Sequence, residues 1–208
     1  MKEILLKEYE ALKAEQLERI KTRDNLIYIS LGVFGAIFSY AMFQIEADRS
    51  IALLVLPTLS LVLAWTYIVN DEKISQLGKY IREQLVEEIK NEAKSDQTNH
   101  IFGWESFHRD DDGRIPRKIL QTAIDLMAFG LPPAVGIAMY YCLLPQELAK
   151  HSIMIIVLFV WGIIATVLTA YLLIFYDWSE RFGKKKIVYQ VLFWVCVVLV
   201  IGLTWWIC

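Results

Sequence analysis

Long apolar blocks alternate with charged segments along this chain. Five blocks contain almost no charged residue, and they cover residues 26–43, 51–69, 119–144, 153–175 and 187–207. Each is close to the roughly 20 residues that a helix needs to cross a bilayer. Because backbone groups inside hydrocarbon must find their hydrogen bonds within the protein, blocks of this kind form helices. The pattern predicts an all-α integral membrane protein with about five transmembrane helices.

The basic residues predict how these helices are oriented. Of the 21 lysines and arginines, 19 lie before the first block, between the second and third, or between the fourth and fifth. The other two, Arg49 and Lys150, lie in the two remaining loops. Cytosolic loops carry the excess of Lys and Arg. We therefore expect a multi-pass protein of the bacterial inner membrane with a cytosolic N-terminus and an exported Cys208.

Two charged segments next to the first two blocks have helical patterns of their own. The segment 3–24 contains no Gly or Pro, and 71–94 has a single glycine, Gly78. Apolar residues recur three or four positions apart in the second segment, as on one face of a helix, namely at Ile74, Leu77, Ile81, Leu85 and Ile89. The first segment has a looser stripe, interrupted by Gln16, formed by Leu5, Tyr9, Leu12 and Ile20.

Equal length and facing apolar stripes predict that the two segments pack as an antiparallel cytosolic stalk, a short two-helix coiled coil. Its expected seam contains Leu12, Ile74, Leu77, Ile81 and Leu85. The alternative is two separate amphipathic helices lying on the membrane surface. The predicted division of the chain is a helical hairpin of stalk and two spans over 1–96, a cytosolic loop over 97–118, and spans three to five over 119–208.

The cytosolic loop carries an aromatic cluster in polar surroundings. Exposed aromatic side chains on a loop can dock a partner or ligand. The candidate residues for binding a partner or a signal are Trp104, Glu105, His108 and Arg109. The alternative is that the aromatic residues Phe102, Trp104 and Phe107 fold back as a plug between stalk and membrane.

Three features within the spans stand out. Asp125 is the ionisable residue placed deepest in a block, and an acid at depth is a functional candidate. Its alternative is an aspartate near the cytosolic interface, reached by water or paired with Lys118 or Gln121. Pro57 and the pair Pro132-Pro133 lie inside the second and third blocks, where each removes a helical hydrogen bond and is expected to kink its helix.

The sequence offers no constellation typical of an enzyme or a metal site. The run Asp110-Asp111-Asp112-Gly113 lacks the later glutamate and the alternate spacing of a calcium loop. His100, His108 and His151 are not spaced as metal ligands. With a net charge of −2, the chain also presents no basic face for nucleic acid. We expect no catalytic residue, no cofactor and no metal.

One set of residues in the first half has a familiar arrangement. It comprises Glu8-Tyr9, Arg23-Asp24, Ala64-Trp65, Asn70-Asp71, Leu77-Gly78-Lys79-Tyr80 and Gly103-Trp104-Glu105. Over residues 8–105 the chain resembles a group of small, uncharacterised bacterial membrane proteins. It is also similar to the two-span membrane effectors of nucleotide-signalling antiviral systems. The resemblance implies an effector that forms a homo-oligomer and permeabilises the membrane when a cytosolic signal arrives.

Two functions from different classes therefore stay open. The first is an inner-membrane effector or channel-like protein, acting in antiviral defence, that oligomerises and perturbs the lipid membrane in response to a nucleotide signal or a soluble cytosolic protein. The second is a membrane anchor or scaffold whose stalk binds a soluble partner complex. A permanently open aqueous pore fits poorly, because polar residues at mid-membrane are scarce.

Overall fold

The chain is helical throughout the part that the structure describes. The computed structural model describes residues 2–43, 50–93, 114–143 and 153–182, and these residues contain no strand. Four helical segments among them are long and apolar enough to cross a membrane: Glu3–Phe43, Ile51–Asn91, Pro116–Cys142 and Ile155–Phe175. These segments match the first four predicted spans. The fifth predicted span, 187–207, lies outside the described residues.

Two compact units are formed by the described residues. Unit 1 contains those within 1–26 and 66–119, and unit 2 contains those within 27–65 and 120–208. Both charged segments, 3–24 and 71–93, belong to unit 1. The first two long helices therefore contribute to both units.

Helix α1, Lys2–Phe43, is the longest element. Its first part is rich in Leu, Glu, Lys and Ala, which are strong helix formers. Charged pairs one turn apart support its exposed surface, with Lys7 Nζ 3.1 Å from Glu3 and Arg19 Nη2 2.7 Å from Glu15. Such pairs add only a few tenths of a kcal/mol each. The burial of the other face is what fixes this part of α1 in unit 1.

Unit 1 is built on the antiparallel packing of α1 against the second long helical segment. That segment consists of helix α2 (Leu56–Tyr80), a π turn (Ile81–Leu85) and helix α3 (Val86–Ala93). Leu5, Leu85 and Ile89 are buried together, and Tyr9 and Leu12 pack against them. The two stalk segments thus pair with each other through their apolar stripes.

In unit 2 the apolar segments pack around a core of buried side chains. Its elements, besides the later part of α1 and the start of α2, are a 3₁₀ turn (Ile51–Val55), helix α4 (Arg114–Asp125, shared with unit 1), a second π turn (Leu126–Gly130), α5 (Leu131–Leu143) and α6 (Ile153–Phe182). The core is formed by Phe34, Ala41, Leu53, Leu54, Leu56 and Tyr140, with Phe159 of α6 packed against it.

Both proline sites in unit 2 coincide with a change of helical pitch. Pro57 stands inside the second span-length segment, in the first turn of α2 and directly after the 3₁₀ turn. Pro57 has no N–H to give to the carbonyl of Leu53, four residues earlier. The backbone N–H of Leu56 donates to that carbonyl instead, three residues along. The tighter turn therefore compensates for the bond that the proline removes.

Two glycines allow the helices of unit 2 to approach closely. A Cβ atom at Gly136 would lie 2.7 Å from Leu56 Cδ1 and 3.3 Å from the backbone oxygen of Leu53. A Cβ at Gly162 would lie 3.3 Å from Pro57 Cγ. Helices α5 and α6 therefore both contact the start of α2 through positions without a side chain. Small residues serve this purpose in membrane helices, where close packing rather than the hydrophobic effect drives association.

Candidate functional site

Two of the predicted seam residues, Leu12 and Leu85, belong to the contact between the paired helices of unit 1. Ile81 and Leu85 are almost fully buried, with exposed fractions of 0% and 1%. Leu12, Ile74 and Leu77 are half-buried. Both buried residues belong to the π turn, a local widening that is frequent at functional sites in helices. The most buried part of the predicted seam therefore coincides with this turn.

Gln16 interrupts the apolar stripe of α1, and its side chain lies next to Gly78 of α2. The side-chain Nε2 of Gln16 donates a hydrogen bond to the backbone oxygen of Ile74 at 3.3 Å. The same Nε2 lies 3.4 Å from the position that a Cβ atom would occupy at Gly78. A polar side chain in such a seam fixes register, because sliding the helices would bury the amide against apolar groups.

A charged contact joins the two helices at the end of the seam that is nearest to the apolar blocks. Arg23 Nη1 lies 2.8 Å from Asp71 Oδ1, and Arg23 Nη2 lies 3.0 Å from Asp24 Oδ1. Partial burial acts to lower the pKa of Arg23, but the hydrogen bonds to Asp71 and Asp24 outweigh it and raise that pKa above its ordinary value. The guanidinium thus bridges both carboxylates as a permanent cation. It joins α1 to α2 at the place where the apolar segments begin.

Tyr80 makes a third contact across the helices. Its phenol donates a hydrogen bond of 2.8 Å to Glu8 Oε1. That hydrogen bond, and to a smaller extent burial, raise the pKa of Tyr80. The hydrogen bonds of Tyr80 and Arg23 thus lie near the two ends of the helix pair, and that of Gln16 lies between them. All three require the same antiparallel register.

Asp125 is buried in the interior of unit 2. It is 2% exposed, whereas its neighbours Ile124 and Met127 are 47% and 64% exposed. The face of α4 that carries Asp125 therefore points into the protein, and the face that carries Ile124 points outward. Thr122, one turn earlier, is buried on the same face. Asp125 also immediately precedes the π turn Leu126–Gly130.

The π turn beside Asp125 is connected to α2 through a serine hydroxyl. Ser60 Oγ donates a hydrogen bond to the backbone oxygen of Phe129, and both residues are fully buried. In an α-helix that oxygen would accept from residue 133, which is proline and has no N–H. Ser60 thus donates to a carbonyl group whose α-helical donor position is occupied by proline.

The remaining predicted binding residues lie outside the described part of the chain. These are Trp104, Glu105, His108 and Arg109, and their role as a partner or signal site stays a prediction. Within residues 2–43, 50–93, 114–143 and 153–182, no cluster of three or more His, Cys, Asp and Glu side chains could hold a metal ion.

The contacts made by Gln16 and Ser60 were not predicted from the sequence, and only that of Gln16 corresponds to a pattern in it. Buried or half-buried positions on α1 alternate in steps of four and three residues at Leu5, Tyr9, Leu12, Gln16, Arg19, Arg23 and Leu26. The sequence shows this spacing as soon as polar residues are counted as possible seam members. Ser60 left no comparable signal, because a lone serine in an apolar block does not reveal a partner on another helix.

Comparisons with known proteins give no relative for this arrangement. The chain matches no protein-family model, no curated protein and no solved structure.

Proposed function

We propose that the chain is an inner-membrane effector whose cytosolic stalk receives a signal and passes it to the membrane spans. On that signal, copies of the protein assemble and perturb the membrane. A nucleotide or a soluble cytosolic protein is the expected class of signal, and antiviral defence is the biological role that the resemblance implies. Membrane lipid is the direct target, and the chain is not an enzyme.

The observation that carries this proposal is the continuity of α1. One uninterrupted helix from Lys2 to Phe43 contains the seam residues of unit 1 and the first apolar segment of unit 2. A rotation or shift imposed on its first part can therefore reach the apolar segment through one continuous helix. Helices of this kind transmit movement because their backbone hydrogen bonds resist local bending.

The polar contacts of the seam support a switch with discrete states. Gln16, Arg23 and Tyr80 all find their partners in one register, and a slid or rotated seam would separate them at once. Switching elements respond to small signals when they have two packed arrangements and no continuous range between them. The stalk is thus suited to hold the resting state until a signal stabilises another one.

A second function, that of a scaffold, is favoured by a different observation. Ile4 and Leu17 are large apolar side chains on the outer surface of α1 in unit 1, and they are 71% and 54% exposed. Exposed apolar side chains on a soluble segment can mark a binding surface. In that case the stalk docks a soluble partner complex, and the spans only anchor it.

Membrane potential distinguishes the two functions. Strong induced expression raises the copy number and drives assembly by mass action. Under that condition, a potential-sensitive dye should report depolarisation of cells that carry the wild-type protein. Cells that carry the protein without residues 2–24 should keep their membrane potential. A wild type that never depolarises cells, but co-purifies with a soluble protein that is lost in the Ile4→Ser/Leu17→Ser variant, would establish the scaffold instead.

A further inference from the structure

One face of α4 and of the π turn that follows it is a stripe of exposed side chains that begins with a cation. Arg117 is exposed, and Lys118 beside it is half-buried. Apolar side chains follow Arg117 three or four positions apart and are 62%, 47% and 64% exposed, namely Leu120, Ile124 and Met127. The face with the buried Asp125 points into the protein. The outward face therefore combines a positive charge at its start with an apolar surface after it.

The length of this stripe matches one leaflet of a bilayer. Arg117 and Met127 are ten residues apart, which is about 15 Å at the rise of a helix. The hydrocarbon core of a bilayer is about 30 Å thick, so that each leaflet contributes about half of it. A phospholipid with its headgroup at Arg117 would thus place an acyl chain along the three apolar side chains.

The chain around the start of α4 contains basic residues without acidic ones. Residues 113–124 include three basic residues and no acidic residue. At the charged ends of the first two apolar blocks the signs are mixed, and Arg23 lies 2.8 Å from Asp71. A run of cations at a membrane surface attracts anionic headgroups, whereas charges of both signs side by side attract them little. The charge of residues 113–124 thus favours an anionic partner.

We propose that the stripe of Arg117, Leu120, Ile124 and Met127, with Lys118 beside it, binds an anionic phospholipid of the leaflet in which α4 begins. The two cations contact the phosphate group, and the apolar side chains contact an acyl chain. A zwitterionic phospholipid fits less well, because its headgroup carries an ammonium group that the same cations repel. The inference rests on the membrane location in the proposed function and not on the effector activity.

Native mass spectrometry of the full-length protein in detergent measures this preference. From equal amounts of dioleoyl phosphatidylglycerol and dioleoyl phosphatidylcholine, the wild type should retain at least about tenfold more of the anionic lipid, since each cation near an anionic surface favours it about fivefold. Arg117→Gln/Lys118→Gln should bring the ratio of the two lipids to within about twofold of one. Arg117→Lys/Lys118→Arg keeps both charges and should keep the ratio of the wild type.

The matched control removes two cations from the charged ends of the first two spans. Lys21→Gln/Lys73→Gln changes the net charge by the same amount, and both lysines are exposed. Because Asp24 and Glu72 lie close to them in the sequence, this variant should retain the two lipids in the same ratio as the wild type. The comparison separates a site on α4 from a general effect of net charge.

The outcomes separate the lipid site from the effector function. Equal retention of the two lipids by the wild type, an unchanged ratio in Arg117→Gln/Lys118→Gln, or an equal fall in the control variant would overturn the site. Loss of bound phosphatidylglycerol on adding excess glycerol 3-phosphate would also overturn it, because the cations would then bind phosphate without the apolar stripe. A retained preference for the anionic lipid in a wild type that never depolarises cells supports the site and rejects the effector function.

A single substitution keeps the test decisive if the double variant does not fold. Arg117→Gln alone changes an exposed side chain and should lower the ratio of the two lipids about fivefold. A ratio equal to that of the wild type would overturn the site.

Discussion

The side-chain amide of Gln16 fills the space that Gly78 leaves on the opposite helix. Gln16 Nε2 lies 3.4 Å from the Cβ position of Gly78 and donates to the oxygen of Ile74 at 3.3 Å. Each residue alone looks like a defect, since Gln16 breaks an apolar stripe and glycine weakens a helix. Together they form one contact that defines the register of the stalk.

The size of the side chain at position 78 should determine the sign of its effect on stability. A Cβ atom meets Gln16 Nε2 at an ordinary van der Waals distance, so Gly78→Ala should fit and stabilise unit 1 by up to about 1 kcal/mol through helix propensity. Gly78→Leu should instead be less stable than Gly78→Ala, because the longer chain displaces Gln16. Thermal unfolding followed by circular dichroism in detergent checks this. A Gly78→Ala variant that unfolds well below the wild type would mean that the contact is tighter than described.

The contact of Arg23 with Asp71 should couple the two helices, in contrast to an exposed ion pair on the same helix. A double-mutant cycle with Arg23→Ala and Asp71→Ala should give a coupling energy of about 0.5–1 kcal/mol, because the pair is only partly shielded from solvent. The side chain of Asp71 is 37% exposed, so the coupling should fall as salt is added.

The control for this cycle is the exposed pair of Lys7 and Glu3, whose atoms are 3.1 Å apart within α1. Breaking it should leave the α1–α2 contact intact, as judged by disulfide crosslinking of cysteines placed at Leu12 and Leu85. Equal loss of crosslinking in Glu3→Ala and Asp71→Ala would contradict a specific role for Arg23.

Two glycine substitutions in unit 2 should show the effect of close packing on stability separately from the effect of helix propensity. Gly136→Ala places its Cβ 2.7 Å from Leu56 Cδ1 and 3.3 Å from a backbone oxygen, so the variant should lose about 1–3 kcal/mol by overpacking. At Gly35 a Cβ would meet nothing within 4 Å, so Gly35→Ala should be neutral or slightly stabilising. Thermal unfolding of the two variants in one detergent compares them directly. A Gly136→Ala variant as stable as Gly35→Ala would show that α5 and α2 are farther apart than described.

Apolar length could be read from the sequence, whereas contacts between helices could not. The first four spans are evident as apolar blocks because the bilayer sets their length. Matching stripes predict that the stalk segments pair, but a stripe on one helix does not show that Gln16 faces Gly78. The 3₁₀ turn before Pro57 could not be predicted, because it depends on a hydrogen bond of Leu56 rather than on a periodic pattern.

The polar interior of unit 2 illustrates the same limit. Depth made Asp125 a candidate, and the sequence could not decide between an interior and an interfacial acid. Its burial at 2% exposure became evident only when the helices were placed together. Ser60 and Phe129 lie far apart in the chain and on different helices, and neither residue signals their hydrogen bond alone.

In the proposed function, the stalk seam controls what the spans do to the membrane. Its most direct test is the membrane potential of cells expressing Ile81→Asp/Leu85→Asp, which buries two charges in the seam, beside Gln76→Asp/Gln84→Asp, which adds two charges at exposed positions of the same helical segment. At equal amounts in the membrane, the account predicts depolarisation by the wild type and the exposed-charge variant, and none by the seam variant. Depolarisation by the seam variant to the same extent as the wild type would contradict the account.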